Sequence, residues 1–178
     1  MSDLANPEDG LIDQFVEHWG MMARAWGINT SMGELFALLY VTGIDWTAED
    51  LKERLGVSRG NVSMNLRELV SWGVVHKVHR PGERRELFRA ESDVWTLFRA
   101  ILRERKSREL DPTLRLLDAA LERVSADPSA CEIEARIDSL RRFFRTTDSL
   151  ATALLRLGPG ELDEIVQLLT HLDSRLDA

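Results

Sequence analysis

The chain has 178 residues, of which 44% are hydrophobic and 30% are charged, a composition typical of folded globular proteins. Its net charge of −7 argues against a histone-like protein that coats nucleic acid, which would need basic charge throughout. The longest uncharged apolar stretch, residues 35–44, is too short to span a bilayer, and no secretory signal is recognised at the N-terminus. With a single cysteine, no internal disulfide can form, so we expect a cytoplasmic protein that does not bind membranes.

The N-terminal part is predicted to begin with a disordered segment, residues 1–10, because these residues are mostly polar. A first helix is expected over residues 11–26, where apolar side chains recur at spacings of three and four. A second helix is predicted to end at residue 42 and to begin at Thr30 or Ser31, with an acidic residue three positions after the serine, as in a capping box.

Residues 47–90 are the most informative part of the chain. A short third helix, a tight turn at Gly56 and a fourth helix over residues 59–72, capped by Ser58, form the pattern of a helix-turn-helix. Two β-branched, basic segments around a Pro-Gly turn then predict a hairpin over residues 74–90. This order of elements predicts a winged helix, with the fourth helix as its recognition helix and the hairpin as its wing.

The charge of this region is opposite to that of the whole chain. Between Arg54 and Ala90 eight basic residues outnumber three acidic ones, a balance of +5 that leaves −12 for the rest. Such a local reversal of sign marks a surface for double-stranded DNA. The predicted DNA-binding residues are Ser58, Arg59, Gly60, Asn61, Ser63, Met64, Asn65, Arg67, Lys77, Arg80, Arg84 and Arg85. Ser58 suits a phosphate at the helix N-terminus, whereas Asn61, Asn65 and Arg67 suit base edges or phosphates.

The chain beyond residue 90 is expected to be helical. Helices are predicted over residues 92–108, 112–124, 129–157 and 161–176. The last two carry heptad-like stripes, formed by Ile133, Ile137, Leu140, Phe144, Thr147, Ala151 and Leu154 and by Leu162, Ile165, Leu169, Leu172 and Leu176. The predicted fold is therefore mainly α with a small β-wing: a winged-helix domain with an N-terminal dimerisation helix over residues 11–108, and a C-terminal helical dimerisation and regulatory region over residues 109–178.

The recognition helix and wing resemble a known family. The sequence LGVSRGNVSMNLR from Leu55, the motif LxxWGVV from Leu69 and the motif KVxxxGxR from Lys77 are similar to the GbsR branch of the MarR family of transcriptional regulators. The resemblance covers about residues 11–125 and is tightest over residues 56–88. It implies a homodimer built by the N- and C-terminal helices, and control of an operon in response to small molecules or osmotic conditions.

We therefore expect a sequence-specific DNA-binding regulator of transcription, a homodimeric repressor controlled by a small effector. Its dimer would place two recognition helices about one turn of DNA apart. The alternative is a winged helix that contacts only protein partners, with a solvated basic wing. No catalytic motif or Gly-rich phosphate loop indicates an enzyme. No cofactor or metal site is expected, since His76 and His79 fall on opposite faces of the predicted strand. The thiol of Cys131 is expected to be unreactive, because its neighbours Glu132 and Glu134 are acidic.

Three of the five tryptophans, Trp19, Trp26 and Trp95, are candidate effector-binding residues. Aromatic side chains of this kind can form a cage around a quaternary ammonium ligand. Trp19 and Trp26 also lie on the apolar stripe of the predicted first helix, so packing in the core is the competing and favoured interpretation.

Overall fold

The computed structural model describes residues 7–124 and 130–176. Its helices and strands, in chain order, are α1 (Pro7–Ala25), α2 (Thr30–Thr42), β1 (Trp46–Thr47), α3 (Ala48–Leu55), α4 (Arg59–Trp72), β2 (Val75–Val78), β3 (Leu87–Ala90), α5 (Val94–Arg105), a π-helical turn (Lys106–Leu110), α6 (Asp111–Val124), α7 (Cys131–Arg156) and α8 (Pro159–Leu176). The predicted fold class, mainly α with a small β-wing, is confirmed. The chain divides into two compact units between Ala100 and Ile101, a little before the predicted division after residue 108.

Helix α1 begins earlier than the sequence predicted. Residues 7–10 are helical rather than disordered, while the rest of the predicted disordered segment, residues 1–6, lies outside the described residues. Small residues make the contact with α2: a Cβ atom added at Gly33 would lie 2.4 Å from the Cβ of Ala23. Because the two helix backbones approach this closely, the larger side chains of the predicted stripe cannot all face α2. Leu11 and Trp26 are 68% and 58% exposed.

The start of α2 also differs from the prediction. Asn29 is the capping residue, and its side-chain oxygen accepts a hydrogen bond from the backbone N–H of Met32. The predicted capping box of Ser31 and Glu34 does not form, because Glu34 lies inside the helix and packs over Gly20 of α1. Burial, together with the nearby charge of Glu17, raises the pKa of the Glu34 carboxyl.

The helix-turn-helix forms as predicted, from local signals. Thr47 and Asp50 make a reciprocal capping box at the start of α3, and Gly56 ends that helix with a left-handed φ of 65°. Ser58 caps α4, which ends at Gly73. The core of this unit is formed by buried apolar side chains from the helices and the sheet, which include Leu35, Leu38, Leu39, Leu51, Val62, Leu66, Val75 and Phe88.

The sheet has three antiparallel strands in the order β1-β3-β2. The hairpin of β2 and β3 was predicted, although both strands are shorter than expected. Strand β1 was not predicted, because its two residues have no detectable periodicity. It pairs Trp46 with Phe88 and Thr47 with Leu87, so the base of the wing is joined to the residues that begin α3.

The described chain from α5 onward is helical. Asp93, rather than the predicted Ser92, accepts the backbone N–H of Thr96 at the start of α5. The residues from 94 to 124 are helical without the break predicted before Pro112. A π-helical turn precedes that proline, a wider turn that suits a residue unable to donate a backbone hydrogen bond. None of the described helices is long and apolar enough to cross a membrane.

Helix α7 packs against α6 and leaves part of its apolar surface exposed. Lys106 binds Asp111 and Asp148 at 2.6 and 2.7 Å, and so ties the π-helical turn to α7. The predicted stripe of α7 is divided: Ala151 is buried, whereas Leu140 is 52% exposed. In the predicted stripe of α8, the side chains of Leu169, Leu172 and Leu176 lie outside the described part of the structure.

Candidate nucleic-acid interface

Helix α4 is held in place by its apolar side and its two ends. Val62, Leu66 and Leu69 are almost completely buried. At the N-terminus, the Ser58 hydroxyl oxygen accepts the backbone N–H of Asn61 at 3.2 Å. At the C-terminus, Gly73 adopts a left-handed φ of 74° and leads the chain into the wing. The opposite side of α4 is therefore presented to solvent in one defined orientation.

The exposed side of α4, with its capping residue, contains six of the twelve predicted DNA-binding residues. These are Ser58, Arg59, Gly60, Ser63, Met64 and Arg67. Met64 is 51% exposed although it is apolar, and the space beside Gly60 is open. The Nε atom of Arg67 donates to the backbone carbonyl of Ser63 at 3.1 Å, which holds the guanidinium along the helix surface. Small, apolar and hydrogen-bonding groups thus lie together on the surface that could enter a DNA groove.

Asn65 does not lie on this surface, and its predicted direct contact with DNA needs correction. Its side chain is only 1% exposed, because it falls among the apolar residues that pack α4 into the core. Its Nδ2 atom donates to the Oδ1 atom of Asn61 at 2.8 Å. Asn61 is half-buried and occupies the first turn of the helix. Asn65 therefore has no exposed surface for the direct contact that the sequence predicted.

A groove of about 740 Å³ lies between α4 and the wing. Arg59, Ser63 and Arg67 line one side at successive turns of α4, and Lys77 and Arg85 line the other. The start of α3 and the apolar side chains of Leu66, Val70 and Phe88 complete the lining. Arginine and lysine outnumber glutamate in the groove by four to two, so it attracts anions.

The wing tip orders its own basic side chains. Gly82 has a left-handed φ of 87°, as the turn between the strands requires. Arg85 donates to the carboxylate of Glu83 from its backbone N–H at 3.0 Å and from its guanidinium at 3.0 and 3.2 Å. These bonds lower the pKa of Glu83 to about 2. Lys77 similarly binds Glu86 at 2.7 Å, whereas no ion pair of Arg84 is seen among the described residues.

The base of the wing is held by a residue that no sequence pattern indicated. The side chain of Asp45 is only 2% exposed and contacts two arginines of the hairpin. Its Oδ1 atom accepts from Arg89 Nε at 2.5 Å, and its Oδ2 atom lies 2.5 Å from Arg80 Nη2. Arg80 was predicted to bind DNA, and the structure places its guanidinium at this carboxylate. No sequence signal links Asp45 to residues so far along the chain.

The candidate effector-binding tryptophans lie on α1, in the turn directly after it and on α5. Trp19 of α1 stacks on Phe15 with ring centroids 5.4 Å apart, and Trp95 of α5 makes an edge contact with Phe98 at 6.1 Å. Trp26 is 58% exposed and Trp19 is 37% exposed, so the favoured interpretation as core residues is wrong for Trp26 and only partly right for Trp19. Their role in binding an effector stays a prediction.

His76 and His79 were not expected to bind a metal ion together, because they were predicted to lie on opposite faces of a strand. The His76 ring lies 3.2 Å from the Glu91 carboxylate, on the outer strand of the sheet. In the part of the chain that the structure describes, no group of three or more histidine, cysteine or acidic side chains has an arrangement suited to a metal ion. Cys131 is a free, exposed thiol.

Comparison with known proteins gives this geometry a context. YvaV of Bacillus subtilis (strain 168) is 27% identical over 86 residues, which are 48% of this chain and 49% of YvaV. The HTH-type transcriptional repressor GbsR of the same organism is 26% identical over 119 residues, which are 65% of this chain and 66% of GbsR. The chain thus spans between about half and two thirds of the length of these relatives.

Structural comparison agrees with the sequence comparison on the fold. A crystal structure of a transcriptional regulator matches 81% of this chain and 95% of its own with a TM-score of 0.63, at 23% identity. The model of the MarR family matches residues 26–86, which run from the end of α1 to the tip of the wing. The winged helix formed by residues 26–86 is therefore similar to that of the MarR family.

Proposed function

We propose that this protein is a transcriptional regulator that recognises a specific DNA sequence through α4 and the wing. One observation carries the proposal: the polar, exposed side of α4 continues into a basic groove beside the wing, on a chain that is otherwise acidic. An acidic body repels DNA, so this basic surface would determine how the duplex docks. Two relatives agree with this function: YvaV is described as an HTH-type transcriptional regulator and GbsR as an HTH-type transcriptional repressor.

The groove between α4 and the wing suits a single strand of the phosphate backbone. A recognition helix enters the major groove with its N-terminal residues towards the bases, and a wing reaches the adjacent minor groove. The backbone that separates the two grooves would then pass between α4 and the hairpin. Arg59, Arg67 and Lys77 line that path. They would fix the register of the protein, while side chains in the first turn of α4 would read the bases.

We further propose that the protein acts as a homodimeric repressor of the GbsR branch. Leu140, Phe143 and Leu150 lie along one side of α7 and are each more than half exposed. Their spacings of three and seven match a helix face that packs on another helix. A second copy of the chain would cover this face and give the twofold symmetry that most helix-turn-helix operators share.

Control by a small effector completes the proposal, with Trp19, Trp26 and Trp95 as its candidate site. An effector would act by favouring a dimer in which the two α4 helices are wrongly spaced for DNA. Quenching or a blue shift of tryptophan fluorescence on addition of a quaternary ammonium compound, together with weaker DNA binding, is the expected result. An unchanged spectrum would remove this ligand class.

The test of function is selection of bound duplexes from a random pool by the purified full-length chain. We expect an enriched palindrome, and light scattering should give about twice the chain mass of 20.3 kDa. The double variant Arg59→Ala/Arg67→Ala should lose binding to all duplexes. A matched control is Arg142→Ala, which removes a 71% exposed arginine from α7. If no sequence is enriched and weak binding persists equally in both variants, the winged helix serves protein partners instead.

A further inference from the structure

Asn65 is an amide buried in an otherwise apolar packing surface. Its neighbours along α4, Val62, Leu66 and Leu69, are all buried with it. Such an amide is not required for packing, because an apolar side chain of similar size at this position would stabilise the helix at least as well. The hydrogen bond that Asn65 makes is directed outward, to the Oδ1 atom of Asn61 one turn earlier. The consequence of the buried amide is therefore found at Asn61.

The bond from Asn65 fixes which end of the Asn61 amide faces outward. An amide is planar, with its oxygen and nitrogen on opposite sides of the carbon that joins them. Since Oδ1 of Asn61 is turned towards Nδ2 of Asn65, the Asn61 NH₂ group is turned away from it, towards the exposed side of α4. No acceptor for this NH₂ group is seen among the described residues. Asn61 therefore presents hydrogen-bond donors at the first turn of the helix.

We propose that Asn65 is a positioning residue that makes Asn61 a reader of acceptor atoms on base edges. This proposal deepens the proposed DNA-binding function and rests on it. In the major groove guanine presents the acceptors O6 and N7 and thymine presents O4, whereas cytosine presents an amino donor. Bidentate recognition of adenine needs both the oxygen and the nitrogen of the amide, and the inward-facing Oδ1 prevents it. Adenine offers a single acceptor, N7, beside its N6 amino donor, so the base opposite Asn61 is preferentially guanine or thymine.

The experiment compares base preferences selected from a random duplex pool by the full-length wild type and by variants. Asn61→Ala identifies the base position that the residue contacts, because preference there is lost. Asn65→Leu removes the internal donor without exposing a polar group, so the Asn61 amide can turn and the same position should then accept adenine and cytosine. Affinity for the wild-type site should fall about three- to tenfold, the usual worth of one hydrogen bond. Ser71→Ala, at the far end of α4, is the control and should keep every preference.

A second variant serves if Asn65→Leu does not fold. Asn61→Asp keeps an acceptor for Asn65, presents the other carboxylate oxygen outward, and places an acid in the first turn, where the helix dipole favours it. It should change the preference at the contacted position from guanine or thymine to cytosine or adenine.

Three results would overturn the inference. An unchanged preference in Asn65→Leu or in Asn61→Asp would remove the role of the pair. An equal loss of affinity for all duplexes in Asn61→Ala would assign Asn61 to the phosphate backbone. Failure of the wild type to select any sequence would overturn both this inference and the DNA-binding function, whereas the first two results leave that function intact.

Discussion

The wing makes a quantitative prediction about salt dependence, because its two adjacent arginines have different surroundings. Arg85 is bound by Glu83 through three hydrogen bonds, whereas Arg84 has no observed acidic partner among the described residues. Each cation that neutralises a phosphate contributes about 0.9 to the slope of log K against log salt concentration. We expect Arg84→Ala to reduce the slope by about this amount. The ratio of wild-type to Arg84→Ala affinity for DNA should then fall about 3.5-fold when salt rises from about 50 to 200 mM.

Arg85→Ala should have a smaller effect on the slope than Arg84→Ala. The guanidinium of Arg85 is already neutralised by Glu83 and must exchange that carboxylate for a phosphate. The variant Glu83→Gln tests this reasoning from the other side, because it releases the positive charge of Arg85. It should steepen the slope by up to about 0.9 and tighten binding at low salt.

The assay is fluorescence anisotropy of a labelled duplex, titrated at four or more salt concentrations with each variant. Arg142→Ala is the matched control, since Arg142 is also an arginine paired with an acidic residue, Asp138 at 3.3 Å, but lies on α7. Its slope should equal that of the wild type. An unchanged slope for Arg84→Ala would remove the wing tip from the contact surface. Equal effects of Arg84→Ala and Arg85→Ala, with no effect of Glu83→Gln, would show that the ion pair does not restrain Arg85.

Three further predictions concern stability and titration. Gly33→Ala should lower the free energy of unfolding by about 1–3 kcal/mol in urea denaturation, because its Cβ would overlap that of Ala23. The control Gly10→Ala, whose Cβ meets nothing within 4 Å, should not lower it. Equal effects of the two variants would contradict the close crossing of α1 and α2. Ser58→Ala should cost about 0.5–2 kcal/mol by removing the cap of α4, and Ser58→Asp should retain most of that stability; loss in both would point to another role. The carboxyl of Glu83 should titrate by NMR near pH 2 rather than 4.5. Because the pKa of Glu83 is depressed in the folded state, its ion pair with Arg85 is fully formed above pH 4.5 and is lost as pH falls through 2. A titration midpoint near 4.5 would show that the pair is absent in solution.

The helix-turn-helix could be predicted from sequence because each of its boundaries depends on neighbouring residues. The capping box of Thr47 and Asp50, the left-handed Gly56, the cap at Ser58 and the end at Gly73 are all local features. A residue three or four positions away decides each of them. The same reasoning placed the wing turn at Gly82.

Features that depend on tertiary packing could not be predicted in this way. Asn65 lies at the edge of the arc that was expected to be exposed, and only the packing of α4 in the core decides that it is buried. The closest approach of α1 to α2 is made by Gly20 and Ala23, because contact with Gly33 requires small side chains, and the Trp19 ring meets Phe36 beside this crossing, with ring centroids 6.5 Å apart. Size and hydrophobicity alone favoured the tryptophans.

The segment from Asp45 to Asp50 explains how α4 and the wing can act as one docking surface. Asp45 binds Arg89 on β3 and contacts Arg80 near the tip, Trp46 and Thr47 pair with the same strand, and Thr47 also caps α3. Six consecutive residues thus join the wing to the helix pair at its base. Only the tip, from about residue 81 to 86, lies beyond these contacts. Because less of the surface has to be ordered when a duplex binds, more of the contact energy between the protein and the phosphates is retained as affinity.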